Sequence, residues 1–309
     1  MKIKTWRDPY NAGFSPTKPT EIELRPGVTV LVGCNGAGKS TLLHNIEEHC
    51  QNNKISCHMY DNLQSGGINS IASLINDSKS IDAIQLMNAS EGENIRANIY
   101  RESRLYDGFF ENGYVDNRLN KLTRLFADKD TLEEMDNQRS SCKDRVLLYD
   151  AVDSGLSIDS VLELKIMFDR LLSNAQKVNI NLYIVIAANE YELARNSSCF
   201  DVNSGNYLVF KDYEDYRNFI IKSSVLKMKR IEQQIKWQLK KKQQEIAKYI
   251  KLRTTTEENK RQWLAKHKNK PLSYSEQRKL DSYDDIINDY IRSCRFASKK
   301  DLERAWENR

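Results

Sequence analysis

The apolar positions of this sequence fall into two kinds of run. Val28 to Val32, Ile55 to Tyr60, Val146 to Asp150 and Leu182 to Ala188 are short and mostly apolar from end to end. Strands buried on both faces of a sheet have this pattern, whereas a half-exposed strand alternates. Between them the period changes. In IDSVLELKIMFDRLLSNA the residues Val161, Leu164, Ile166, Phe168, Leu171 and Leu172 keep a helical spacing, as do Leu42, Leu43 and Ile46 in LLHNIEEH. Strands alternating with helices predict an α/β body wound on a largely parallel sheet. VNSGNYLVFKDYEDY reads as a turn, a short closing strand at Tyr207 to Phe210, and a following helix.

From Ser224 the character changes. The stretch to Leu252 has no Gly or Pro, and Met228, Ile231, Ile235, Leu239, Ile246 and Ile250 recur every three to four positions or a multiple. This predicts a long amphipathic helix with a basic opposite face. Pro271 breaks it, Ser275 is the expected cap, and DSYDDIINDYIRSC forms a further helix. The expected organisation is an α/β body over residues 1–222, with an Asn-, Asp- and Arg-rich insertion at about 107–143, and a basic helical extension over 223–309.

Composition narrows the class. The 309 residues, 39% hydrophobic, suffice for one sizeable core. No run reaches the roughly 18 apolar residues of a membrane span, and MKIKTWRDPY lacks a signal-peptide core, so a cytoplasmic protein is expected, with no membrane partner. The six cysteines form no CxxC pair, which fits reduced thiols. No cysteine or carboxylate completes a zinc spacing with His44, His49 or His58. The net charge of +5 is uneven: Lys222 to Arg309 hold 24 basic and 12 acidic residues, the rest 24 and 31. A basic extension on an acidic body points to an acidic partner.

The chemistry begins at Gly33-Cys-Asn-Gly-Ala-Gly-Lys-Ser40, which fits GxxxxGK[ST] between an apolar strand and a helix. The glycines let the chain wrap so that backbone N–H groups face a phosphate; Lys39 reaches the β/γ-phosphates and Ser40 ligates Mg²⁺. Such a loop needs a carboxylate on a neighbouring strand to hold the metal, and Asp150, ending RVLLYD, supplies it.

GCNGAGKST together with DAVDSGL resembles the ABC-type ATPase heads, and more specifically the SMC, RecF and OLD-like branch of AAA family ATPases. The resemblance implies ATP and Mg²⁺ as cofactors, held by Asn35, Gly36, Ala37, Gly38, Lys39, Ser40 and Thr41, and an ATP-dependent homodimer. It also asks for a Q-loop, a signature, a D-loop and a switch residue. LQSGG at Leu63 to Gly67 is the closer signature by letters, but it follows the glycine loop by only about 25 residues, where the resemblance implies the Q-loop, with Gln64 near metal and water. The signature falls on NASEGENI, where Ser90, Gly92 and Glu93 would meet the γ-phosphate of a second subunit; a capping box before a surface helix has the same Ser90 to Glu93 spacing. Ser154 to Ser157 resembles the D-loop, with Ser157 where the family commonly has Asp, and Asn189 occupies the switch position often filled by His. Only about 50 residues separate the glycine loop from the signature, leaving no room for a long coiled-coil arm.

In the resembling families a glutamate follows the Asp150 position, and here it is Ala151. A methyl group can neither accept a proton nor orient water, so general-base assistance worth about 10²–10⁴-fold is expected to be missing. Three explanations stay open: a glutamate replaced to trap the ATP state, a natural switch that scarcely hydrolyses, or another base. Asp153 falls where the family pattern already has its second Asp. In the extension, Lys227, Lys229, Arg230, Lys236, Lys240, Lys241 and Lys242 form a stripe suited to DNA or RNA phosphates, with Trp237 and Tyr249 as stacking groups. A solvated helix face or a docking seam is the alternative, and the resemblance adds an effector nuclease or toxin as a partner.

Overall fold

The computed structural model describes residues 1–4, 21–62, 90–104, 106–113, 142–268 and 271–308. They form two compact units, Met1–Lys227 and Met228–Arg309.

The first unit is built on a six-stranded sheet with order β4-β5-β6-β3-β7-β8, from β3 (Gly27–Val32), β4 (Ser56–Asp61), β5 (Asp144–Asp150), β6 (Asn181–Ala187), β7 (Ser198–Asp201) and β8 (Tyr207–Leu208). All pairings are parallel except β7 with β8. The expected α/β class and largely parallel sheet are what the chain adopts. A separate two-stranded sheet joins β1 (Lys2–Lys4) to β2 (Glu21–Glu23).

The end-to-end apolar strands have the expected cause. Val146 and Leu148 of β5 pack on the face that carries α1 (Lys39–Asn52) with Leu42, Leu43 and Ile46. Leu147 and Tyr149 pack on the other face, with Ile95 and Ile99 of α2 (Glu91–Ser103), Phe109 of α3 (Tyr106–Asn112) and Val161, Leu164 and Phe168 of α4 (Ile158–Lys177). Both faces are covered, so both side-chain sets are apolar. A short helix α5 (Tyr191–Ala194) follows β6.

Several expectations are corrected. The helix after the closing strand and the long basic helix are one element, α6 (Tyr213–Lys266). The closing strand stops at Leu208. The cap of α7 (Tyr274–Ser293) is Ser273, not Ser275: Ser273 and Glu276 complete a capping box, which satisfies the first free N–H groups reciprocally. A second box, Ser298 with Asp301, starts α8 (Lys299–Glu307). Residues 114–141 of the expected insertion lie outside the described residues.

The second unit has its own small core of Tyr249, Ala297 and Leu302, with Ile246, Ile250, Ile287 and Trp306 packed on it. Met228, Ile235 and Leu239 of the expected apolar seam are exposed. Glu245 on α6 accepts the N–H groups of Arg295, Phe296 and Ala297 at 3.1, 2.9 and 2.8 Å, and so shapes the turn between α7 and α8. Among the described residues no helix is long and apolar enough to cross a membrane.

Candidate nucleotide-binding site

Parallel strands place their carboxyl ends along one edge, where such sheets form crevices. β3 delivers Gly33 to Gly38 there, β5 delivers Asp150, and β6 delivers Asn189. The sequence reading put Asp150 on a strand next to β3, and this is corrected: β6 runs between them. Leu31 pairs with Ala187 and Ala187 with Asp150, so the three stand level across the sheet. At about 4.8 Å per strand the carboxylate is two spacings from β3, and Ser40 on the first turn of α1 closes the gap. Its Oγ donates to Asp150 Oδ1 at 3.1 Å.

The resulting cleft encloses about 260 Å³. Of the residues singled out from the sequence, Asn35, Gly36, Gly38, Lys39, Ser40, Thr41, Asp150, Ala151 and Asn189 line it, with Ala187 as the floor. Ala37 is buried behind the loop, its N–H donating to Cys34 O at 3.0 Å. Gly36 and Gly38 have φ of 73° and 105°, a backbone region that costs any side-chain-bearing residue. Gln64 lies outside the described residues, as do Asn88 and Ala89. A larger cavity of about 530 Å³, lined by Tyr249, Lys260 and Asp284 among others, lies within the second unit and holds none of these residues.

Lys39 is 8% exposed and donates to Gly33 O at 2.8 Å. Burial holds its ammonium below the usual lysine value, opposed by the carboxylates of Asp153 and Asp150. Burial raises the Asp150 carboxyl above its usual range, the Ser40 hydroxyl opposes this, and Asp61 on β4 pushes it further up. Each group lacks a full counter-charge, which an anion at Lys39 and a cation at Asp150 would supply. The Ser40 and Asp150 oxygens suit a small hard cation such as Mg²⁺ that takes its remaining ligands from phosphate and water. Among the described residues no group of three His, Cys, Asp or Glu could hold a metal by protein ligands alone.

Around this cleft a set of contacts fixes the loops. Ala151 has φ of 51°, left-handed for an alanine, and its carbonyl accepts from Asn62 Nδ2 at 3.1 Å. The same amide donates to Ser154 O at 3.2 Å, so Asn62 clamps the turn after β5. Asp153 is 3% exposed, and its Oδ2 accepts the N–H groups of Asn189 and Glu190 at 2.6 and 2.7 Å. This carboxylate is committed to holding the turn after β6. Tyr216 Oη on α6 donates to Asn189 O at 2.7 Å, so the backbone of Asn189 is gripped on both sides.

Ser90, Gly92 and Glu93 do not line the cleft of their own chain. They form the capping box that the spacing allowed: Glu93 Oε2 accepts from both Ser90 N and Ser90 Oγ at 2.8 Å, and Glu93 N donates back to Ser90 Oγ at 3.3 Å. Gly92 packs on the turn after β5, where a Cβ added to it would lie 2.8 Å from Gly155 O. The segment assigned as signature therefore touches the segment assigned as D-loop within one chain.

The basic stripe is smaller than the sequence implied. Lys227 donates to Asn35 O at 2.7 Å in the first unit, and Lys242 pairs with Asp301 at 2.7 Å in the second. Tyr249 is 1% exposed, and its burial removes it as a stacking platform; Trp237 packs edge-on to Phe296 at 5.3 Å. Ser223 on α6 accepts the N–H of Cys34 at 2.9 Å, and it, Asn62, Tyr216 and Lys227 were not read as parts of the site. The signal was present for three of them: Tyr216, Ser223 and Lys227 are seven and four apart, one face of a helix.

No family model matches the chain, and no curated protein matches it. Among solved structures, an ATP-binding cassette of an ABC transporter, MJ1267 in its ADP conformation, is 13% identical with a TM-score of 0.30, covering 66% of this chain and 90% of that one. Drosophila ORC bound to DNA is 13% identical with a TM-score of 0.28 over 92% of this chain, which spans 55% of the ORC chain. Likeness of this degree decides nothing about the present chain. Its own topology does: a glycine loop between β3 and α1, opening on the carboxyl edge of a parallel sheet covered on both faces, is a P-loop α/β fold.

Proposed function

We propose that this chain is an ATP-binding head of the ABC type, in the SMC, RecF and OLD-like branch, whose two copies sandwich Mg·ATP and regulate an effector partner in the cytoplasm. The observation that carries this is the meeting of Lys39, Ser40 and Asp150 in one cleft, with Ser40 Oγ 3.1 Å from Asp150 Oδ1. Lys39 binds phosphate, the N–H groups of Gly36 to Ser40 cradle it, and Ser40 and Asp150 hold Mg²⁺, which supplies charge neutralisation of the phosphates. Ser90 and Gly92 at the start of α2 face the partner copy's nucleotide, and Gln64 serves the Q-loop. The head is the first unit, and the extension is the second.

A second reading has its own support. Among the described residues Asp150 is the sole carboxylate lining the cleft, Ala151 offers a methyl group, and Asp153 is engaged by two backbone N–H groups. A scaffold clamped by ATP, scarcely hydrolysing it and holding DNA, RNA or a toxin or nuclease through the basic second unit, needs no more than this. Solution mass with and without Mg·ATP, together with ATP affinity, tests the shared core of both readings. A nucleotide-dependent dimer that Lys39→Ala abolishes is expected; ATP binding with no change of mass removes the sandwich, and no ATP binding removes both.

A further inference from the structure

The root of α6 reaches the glycine loop from outside the cleft. Ser223, 1% exposed, accepts the N–H of Cys34 at 2.9 Å and the Asn203 side-chain amide at 2.7 Å. One turn later the Lys227 ammonium meets Asn35 O at 2.7 Å and lies 2.8 Å from where a Cβ on Gly36 would sit. Asn35 and Gly36 both line the cleft. Ser223 thus fixes the helix against the loop, and Lys227 extends over the peptide that a phosphate would approach.

We propose that Lys227 is a second phosphate-binding cation of this site, exchanging the Asn35 carbonyl for a nucleotide phosphate oxygen. The inference rests on the nucleotide-binding reading and deepens it. Among the described residues that line the cleft Lys39 is the sole cation, whereas a nucleoside triphosphate brings several negative charges. A solvent-exposed bond from an ammonium to a neutral carbonyl is worth less than one to an anionic oxygen, so an arriving phosphate outcompetes Asn35 O. The four-carbon lysine stem allows the swing while the backbone of α6 stays anchored by Ser223. Gly36 keeps the path open, because any side chain there would meet the ammonium.

ATP affinity is measured on the full chain and on the variants Lys39→Ala, Lys227→Met, Lys227→Arg and Lys229→Met, the last as an exposed basic control. Lys227→Met is expected to weaken ATP about tenfold or more at low salt, with the loss shrinking as salt rises. Lys227→Arg recovers part of it, and Lys229→Met matches the wild type. Equal affinity of Lys227→Met and the wild type, with Lys39→Ala defective, overturns this role while leaving the nucleotide site intact. So does a salt-independent loss that Lys227→Arg does not recover and that accompanies a lower melting temperature without nucleotide, since Lys227 is then a brace. A wild type that binds no ATP removes the nucleotide reading itself and this role with it.

Discussion

Gly92→Ala isolates the contact between the start of α2 and the turn after β5 without entering the cleft. The new Cβ would lie 2.8 Å from Gly155 O, whereas ordinary contact begins at 3.4 Å, so the segments must part by roughly 0.6 Å. Neither side yields freely. Gly155 has φ of 80° with Ile95 Cδ1 3.1 Å from its own Cβ position, and Asn62 holds the same turn through Ala151 O and Ser154 O. Overpacking of this kind costs about 1–3 kcal/mol, against up to ~1 kcal/mol recovered from the helix propensity of alanine. Taken at the midpoints the net loss is about 1.5 kcal/mol, which in a unit of this size lowers Tm by roughly 3–6 °C. Gly108→Ala in α3 is the control: among the described residues nothing lies within 4 Å of its added Cβ, so it gains up to about 1 kcal/mol. Thermal unfolding of the full chain reads both. A Gly92→Ala protein as stable as the wild type, moving in step with Gly108→Ala, would falsify the packing argument.

Ala151→Glu puts a carboxylate into the cleft and is expected to raise ATP turnover by about 10²–10⁴-fold at saturating Mg·ATP; unchanged turnover would favour the scaffold reading. The raised Asp150 carboxyl binds its proton more tightly folded than unfolded, so its ionised form costs stability at neutral pH, a cost relieved as pH falls towards the raised value. Mg²⁺ competes with that proton, so its affinity should fall as pH drops towards the raised value, and Asp150→Asn should lose both the affinity and the slope; a flat wild-type profile would contradict the assignment. Burial acts against ionisation of Glu245, but the N–H groups of Arg295, Ala297 and Phe296 outweigh it and hold the carboxyl below its usual value. The stability it contributes is present above the ordinary glutamate range and lost as pH falls through the depressed value. Glu245→Ala should cost the second unit roughly 1–3 kcal/mol and speed hydrogen exchange at those three amides; unaltered protection there would refute the role.

The strands, the glycine loop and Asp150 were legible because their signals are local. A wholly apolar run reports burial on both faces, and the spacing from Gly33 to Ser40 lies within one strand-loop-helix unit. Ala151 was legible for the same reason, one residue after the strand-end aspartate. Helix ends were less so: Ser273 and Ser275 both precede an apolar run, and only Ser273 has a glutamate three residues on that can answer its backbone N–H. Tyr249 shares its amphipathic stretch with solvent-facing lysines, and packing with Ala297 and Leu302 decided its burial.

What the sequence by itself determined is the class of the body and the glycine loop, since periodicity and turn chemistry act over a few residues. Only the tertiary structure decided that β6 lies between β3 and β5, that Asn62 clamps the turn after Asp150, that Asp153 is committed to Asn189 and Glu190, and that Lys227 sits on Asn35. Those hydrogen bonds join residues 36 to 192 positions apart. Helical spacing can put Lys227 on one face with Tyr216 and Ser223 but not say what that face meets, because the geometry of such contacts exists only once the sheet has set the order of its strands.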